Sequence, residues 1–211
     1  MATQSTPDRV TQTLSHSWAI AGALLVASVV VGLVAPGVAG NFRGFFATTG
    51  TVMVVASLLI FAVGIRRVES VTDRRPLGTS SLLLLAVWIF VGDTILFSGD
   101  IVPALWVTLG YINSFVLFAL ALIGAVQIAR ARVVPRPWNV APAAVLAVNV
   151  LCWLLLTLAS IIDSVWPSTA PSATAVILII LSTFVQVIGL ISVGMIAIVL
   201  ADRASRPGPT A

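Results

Sequence analysis

The sequence predicts an all-α, polytopic membrane protein: a six-transmembrane-helix bundle with both termini in the cytoplasm. Three observations predict it: six apolar stretches of spanning length, a scarcity of charge, and arginines crowded onto alternate connections. Of 211 residues, 59% are hydrophobic and 9% charged, and the mean hydropathy is +1.13. Soluble domains carry roughly 25% charged residues, so this chain lacks the polar surface to cover a water-soluble globule. A bilayer is the solvent that suits it.

A hydrocarbon core of about 30 Å takes about 20 mostly apolar helical residues to cross. The first stretch, 18–35, starts at Trp18 and stops before Pro36. The second, 45–65, follows Arg43 and runs into Arg66 and Arg67. The third, 80–97, lies beyond Pro76 and ends short of Asp100. The fourth, 104–129, follows Pro103 and ends at Arg130, and the fifth, 140–162, ends before Asp163. The sixth, 173–201, is the longest and accommodates its length by tilting or by projecting from the bilayer. Tails of residues 1–17 and 202–211 flank this 18–201 membrane domain. Unpaired backbone groups are too costly in lipid, so each stretch is expected to be helical despite its Val and Ile content. All eleven prolines fall in tails, connections or helix ends. Pro142 is the deepest and fits the first turn of the fifth helix, where a missing N–H costs little.

Orientation follows from the arginines. Arg9, the group Arg66, Arg67, Arg74 and Arg75, the group Arg130, Arg132 and Arg136, and Arg203 with Arg206 all fall on one side. Arg43 alone falls on the other, where Asp100 and Asp163 also sit. The positive-inside rule then places both tails and the even connections in the cytoplasm, with the chain in the inner cell membrane. Trp18, Trp106, Trp138 and Trp166 lie near span ends, as interfacial aromatic belts require. One rival concerns the first span, where Gly37-Val38-Ala39 resembles a small-residue cleavage site after an apolar run. Cleavage there would leave five helices and an external N-terminus. The apolar run exceeds a usual signal core, which favours a retained helix.

Composition also excludes chemistry. The pI near 11.0 reflects a net charge of only +4, with no lysine and with arginines at helix ends, so no nucleic-acid partner is expected. Cys152 is the only cysteine and His16 the only histidine, which argues against haem and zinc. Without lysine there is no Schiff base to retinal or pyridoxal phosphate. No cofactor is expected, nor an enzyme: a Gly-x-Ser-x-Gly elbow, a metal cluster and a nucleotide-sized soluble domain are all missing from the sequence.

Small and polar residues recur at helical spacing, as helix packing in lipid uses them. The first helix offers Ala19, Ala23, Ala27, Ser28 and Gly32, and the second Gly50, Ser57 and Gly64. The fourth carries Gly110, Asn113, Ser114, Ala121, Gly124 and Gln127, the fifth Asn149, Trp153 and Thr157, and the sixth Ser182, Gln186 and Gly189. Asn149 and Gln186 fall near mid-depth and could meet, either as a simple tie or as the lining of a polar path. Asp93 is the one charged side chain inside a span. Folding the third connection back brings it level with Tyr111, a hydrogen-bond donor, and Arg43 could reach the same region. An intramembrane carboxylate is a functional-site candidate by default; the alternative is a carboxyl that merely ties helices together.

Two functions are compatible with this pattern. The first is a non-enzymatic accessory, scaffold or regulatory protein acting through helix–helix or lipid contacts, with a membrane-protein partner or as a homo-oligomer. Arg66, Arg67, Arg74 and Arg75 would then rest on anionic lipid, each basic residue contributing about 1 kcal/mol. The second is a small secondary transporter, proton-coupled through Asp93. The unbroken helices and the lack of a clear inverted repeat weigh against the second.

Overall fold

The computed structural model describes residues 7–37, 42–64, 76–93, 103–131, 138–165 and 173–205, and every regular element among them is helical. In chain order these are α1 (Pro7–Val34), α2 (Phe42–Val63), α3 (Pro76–Val91), α4 (Pro103–Ala131), α5 (Ala141–Val165) and α6 (Ala173–Ser205). Single 3₁₀ turns follow α1 at Ala35–Gly37 and precede α5 at Trp138–Val140. Pro76 and Pro103 open α3 and α4, and Pro142 sits in the first turn of α5, positions that need no N–H. Gly64 closes α2 at φ 69°, its N–H donating to the Ile60 carbonyl at 2.8 Å. It is therefore a left-handed C-terminal cap and does not belong to a packing stripe.

Five stretches are long and apolar enough to cross a membrane, lying within α1, α2, α4, α5 and α6 and its flanking turns. The sequence predicts six. The difference is α3, whose 16 residues rise only about 24 Å, short of the hydrocarbon thickness of about 30 Å. Residues 94–97 of the expected third span lie outside the described residues. So do Val38 and Ala39 of the cleavage-like site and the basic group Arg66, Arg67, Arg74 and Arg75. Large apolar side chains line the outer surface, with Phe115 73% and Ile177 63% exposed. A surface of that kind requires an apolar solvent.

Consecutive helices pack antiparallel, and α6 returns to pack on α1 over the most extensive interface of the bundle. Helices that are not neighbours in this cyclic order make at most marginal contact. The result is a ring of six helices. The start of α1 and the finish of α6 share one end, called proximal below.

The tightest joint in the ring is α1 against α6. A Cβ added to Gly22 would lie 2.5 Å from the Gly194 carbonyl oxygen, and one added to Gly194 would lie 2.8 Å from that of Gly22. Here two backbones approach as closely as glycine allows. The buried face of α1 comprises Ser17, Ala21, Gly22, Leu25, Ser28 and Val29. The expected Ala19–Ala23–Ala27 stripe is displaced from this face: Ala23 is exposed and the other two are half-buried. Gly32 has open space around it. Across α1 and α2, the fully buried Ser57 hydroxyl donates to the Ala21 carbonyl at 2.8 Å. Gly124 lets α4 close on Leu82 of α3, and Gly189 lets α6 close on Val145 of α5. The seam between α4 and α5 is the thinnest around the ring.

Candidate functional site

A ring whose opposite helices do not touch leaves space at its centre. A cavity of about 370 Å³ fills that space, and all six helices line it. Its walls use mainly the proximal half of the helices, and on α3 they reach Ile89 in the last turn. On α1 they run from Trp18 to Leu25, and on α5, with its leading turn, from Trp138 to Asn149. On α6 they run from Gln186 to Leu200. The remaining walls are Val54, Leu58 and Phe61 of α2, Leu82, Leu85 and Ile89 of α3, and apolar residues of α4. Two carboxamides, Asn149 and Gln186, are the only non-aromatic polar side chains among the residues that line it.

Those two amides sit level with each other. Val145 abuts Gly189 across the α5–α6 interface. One turn further along α5 is Asn149, and about one turn back along antiparallel α6 is Gln186. Asn149 is eleven residues from one end of the stretch Trp138–Ile162 and thirteen from the other, which is mid-span. Both mark the deepest reach of the cavity on their helices. The Asn149 Nδ2 donates to the Val145 carbonyl of its own helix at 3.0 Å. Gln186 is exposed and enters no hydrogen bond among the described residues. The expected meeting of the two amides is thus a shared cavity wall, without a bond between them.

Beyond the amides lies an aromatic cluster at the α4–α5 seam. Trp153, one turn past Asn149, packs edge-on against Tyr111 at 6.1 Å and Phe118 at 5.7 Å between ring centroids. These contacts bridge the α4–α5 seam. Next to them, the half-buried Trp88 Nε1 donates to Asn113 Oδ1 at 2.8 Å, joining α3 to α4. Asn113 is thereby a helix tie. Thr157 bonds back to the Trp153 carbonyl at 2.9 Å, within α5.

Asp93 lies elsewhere. It stands at the distal end of α3, where Gly92 and Asp93 continue the helix in a wider, π-type winding. Its side chain is exposed and does not line the cavity. Thr51 Oγ1 of α2 donates to Asp93 Oδ2 at 2.6 Å. The expected donor, Tyr111, has its ring against Trp153 instead. Arg43 is exposed in the first turn of α2 and makes no ion pair with Asp93. It precedes Thr51 by eight residues, about 12 Å of helical rise. Folding the third connection brings Tyr111 level with Asp93, and folding the second does the same for Thr51, the partner the structure selects.

The energetics of the cavity are decided by its walls. The cavity is only partly enclosed, so its lining selects what enters and fills it. Water is a poor filler, since each buried molecule needs two to four polar partners. Apolar matter fits most of this volume, with hydrogen bonding at depth offered by Asn149 and Gln186. No protein-family model, curated protein or solved structure matches the chain.

Proposed function

We propose that this protein is a six-span membrane protein, with both termini cytoplasmic, that serves a non-enzymatic accessory, scaffold or regulatory role through helix–helix and lipid contacts. The observation that carries this reading is the use made of the polar residues in the distal half. Asn113 is engaged by Trp88, Asp93 by Thr51, and Thr157 by its own backbone. None of these three side chains lines the cavity that holds the two amides. Side chains spent as ties build a framework, and the apolar exterior of the ring offers a surface for another membrane helix. Arg66, Arg67, Arg74 and Arg75 hold the proximal, cytoplasmic rim against anionic lipid in this reading.

Extraction in a mild detergent tests the role. An accessory protein brings down a stoichiometric membrane partner, and repeated recovery of a lone monomer or homodimer overturns the reading. A reporter fused after Ala211 tests the orientation: accessibility from outside intact cells would refute it.

One observation favours a second reading, a small secondary transporter. A half-depth cavity ending on two uncharged amides resembles one face of an alternating-access pathway. If proton coupling runs through Asp93, Asp93→Asn folds normally and abolishes pH-gradient-dependent flux in liposomes. Undiminished flux in that variant removes the residue from any transport role.

A further inference from the structure

We infer that the central cavity is a binding site for a neutral lipophile that carries one hydrogen-bonding oxygen, seated with that oxygen between Asn149 and Gln186. The inference goes beyond the accessory reading and requires only that the helical ring sits in a bilayer. Three features of the cavity define the ligand. Its volume, about 370 Å³, lies within the range of small-molecule sites, roughly 300–1,000 Å³. Its walls are hydrocarbon and aromatic nearly throughout, from Leu25 and Leu85 to Phe118 and Val193. Its polar groups at depth are carboxamides, which donate and accept hydrogen bonds but carry no charge. A carboxylate or ammonium would find no counter-charge there, and burying one unpaired is costly. A hydroxyl fits both amides, accepting from Gln186 and donating to the Asn149 oxygen, whereas a carbonyl oxygen accepts from Gln186.

Depth selects the source of the ligand. Asn149 is at mid-span, so the oxygen that meets it must travel to mid-membrane. A phospholipid keeps its polar groups at the interface and presents only a hydrocarbon chain end at that depth. It would fill the walls and leave the amides unmatched. A long-chain alcohol or ketone can bring its oxygen that far. Gln186, which bonds nothing among the described residues, is available to receive it. Asn149 keeps its Nδ2 on Val145, and its amide oxygen can accept from a hydroxyl.

The test uses the full-length protein in phosphatidylcholine–phosphatidylglycerol vesicles and two photoreactive probes. One is a diazirine-bearing dodecanol and the other the matching diazirine alkane. Labelled residues are mapped by mass spectrometry, with outward-facing Phe115 and Ile177 as the reference for bulk lipid contact. The alcohol is expected to label cavity residues about fivefold more than the alkane does, the ratio that one net hydrogen bond supplies. In Gln186→Leu combined with Asn149→Leu that preference falls to unity while hydrocarbon still enters. In Ala121→Phe, which places a ring in the cavity, both probes lose the site and keep the reference labelling. Gln186→Leu alone removes no bond among the described residues, so it carries the test if the double variant does not fold. Equal labelling by the two probes in the unaltered protein overturns the proposal in favour of a lipid-chain filler. Cavity labelling no stronger than at Phe115 and Ile177 overturns it altogether. Neither result depends on whether a protein partner is recovered, so the accessory reading stands or falls separately.

Discussion

Replacing Gly22 by alanine places one methyl group where α1 and α6 meet backbone to backbone. The added Cβ would lie 2.5 Å from the Gly194 carbonyl oxygen, 3.0 Å from Ile198 Cγ1 and 3.1 Å from Ala197 Cβ. The Ile198 side chain can rotate aside. The carbonyl cannot, because it is fixed in the hydrogen-bonded ladder of α6, so the two helices must separate. Overpacking of this kind costs about 1–3 kcal/mol, and the immobile backbone partner puts this case near the upper end. Alanine regains about 1 kcal/mol of helix propensity, leaving a net loss of about 2 kcal/mol. That corresponds to roughly a 30-fold shift in the folding equilibrium. Gly32→Ala is the matched control, since its Cβ meets nothing within 4 Å and only the propensity gain remains. Reversible unfolding in mixed micelles, followed by tryptophan fluorescence, measures both. Equal stability of Gly22→Ala and Gly32→Ala would show that α1 and α6 do not close the ring as described.

Other substitutions probe the remaining joints. Gly189→Ala brings a Cβ to 2.5 Å from Val145 Cγ1 and is expected to cost about 1–3 kcal/mol. Adding Val145→Ala should restore most of it, and a strictly additive double-mutant cycle would refute the contact. Asn113→Leu leaves the Trp88 indole N–H without its acceptor and should cost about 0.6 kcal/mol, the average for such bonds in membranes, and no more than about 1.7 kcal/mol. Trp88→Phe tests the same bond from the other side; a stability change with no coupling between the two would count against it. Thr51→Val should cost no more than about 1 kcal/mol, because Asp93 is exposed and can be solvated from outside the ring. A several-fold larger loss would mean that this end of α3 is buried in the membrane.

The legible part of the candidate site was its residue types and depths. Asn149 and Gln186 stand out in any reading because uncharged amides at mid-span are costly unless used. Their shared level follows from antiparallel packing, which the short connections imply. Their separation was not legible, since a single turn of helix rotation decides whether two amides bond or face a common space. Asp93 was conspicuous by charge alone, and its partner was missed because a hairpin can be folded on either side of a helix. Gly22 and Gly194 went unnoticed for a related reason. Glycine is frequent in membrane helices, and spacing does not say which glycine meets a backbone and which, like Gly32, meets open space.

What the amino-acid order determined by itself is the one-dimensional part: which stretches need an apolar solvent, that they are helical, and where prolines and Gly64 end them. Those outcomes depend on the transfer of side chains and peptide groups into hydrocarbon, a property that local composition already expresses. The tertiary structure alone decided that α6 closes on α1, that the ring encloses a cavity, and which residues face it. Closure depends on sub-ångström fit between surfaces far apart in the chain, where one methyl group separates contact from collision. Hydroxyls such as Ser28 and Ser57 mark the packed faces, but the cavity walls are nearly as apolar as the lipid-facing surface, so hydropathy does not mark which residues face the cavity.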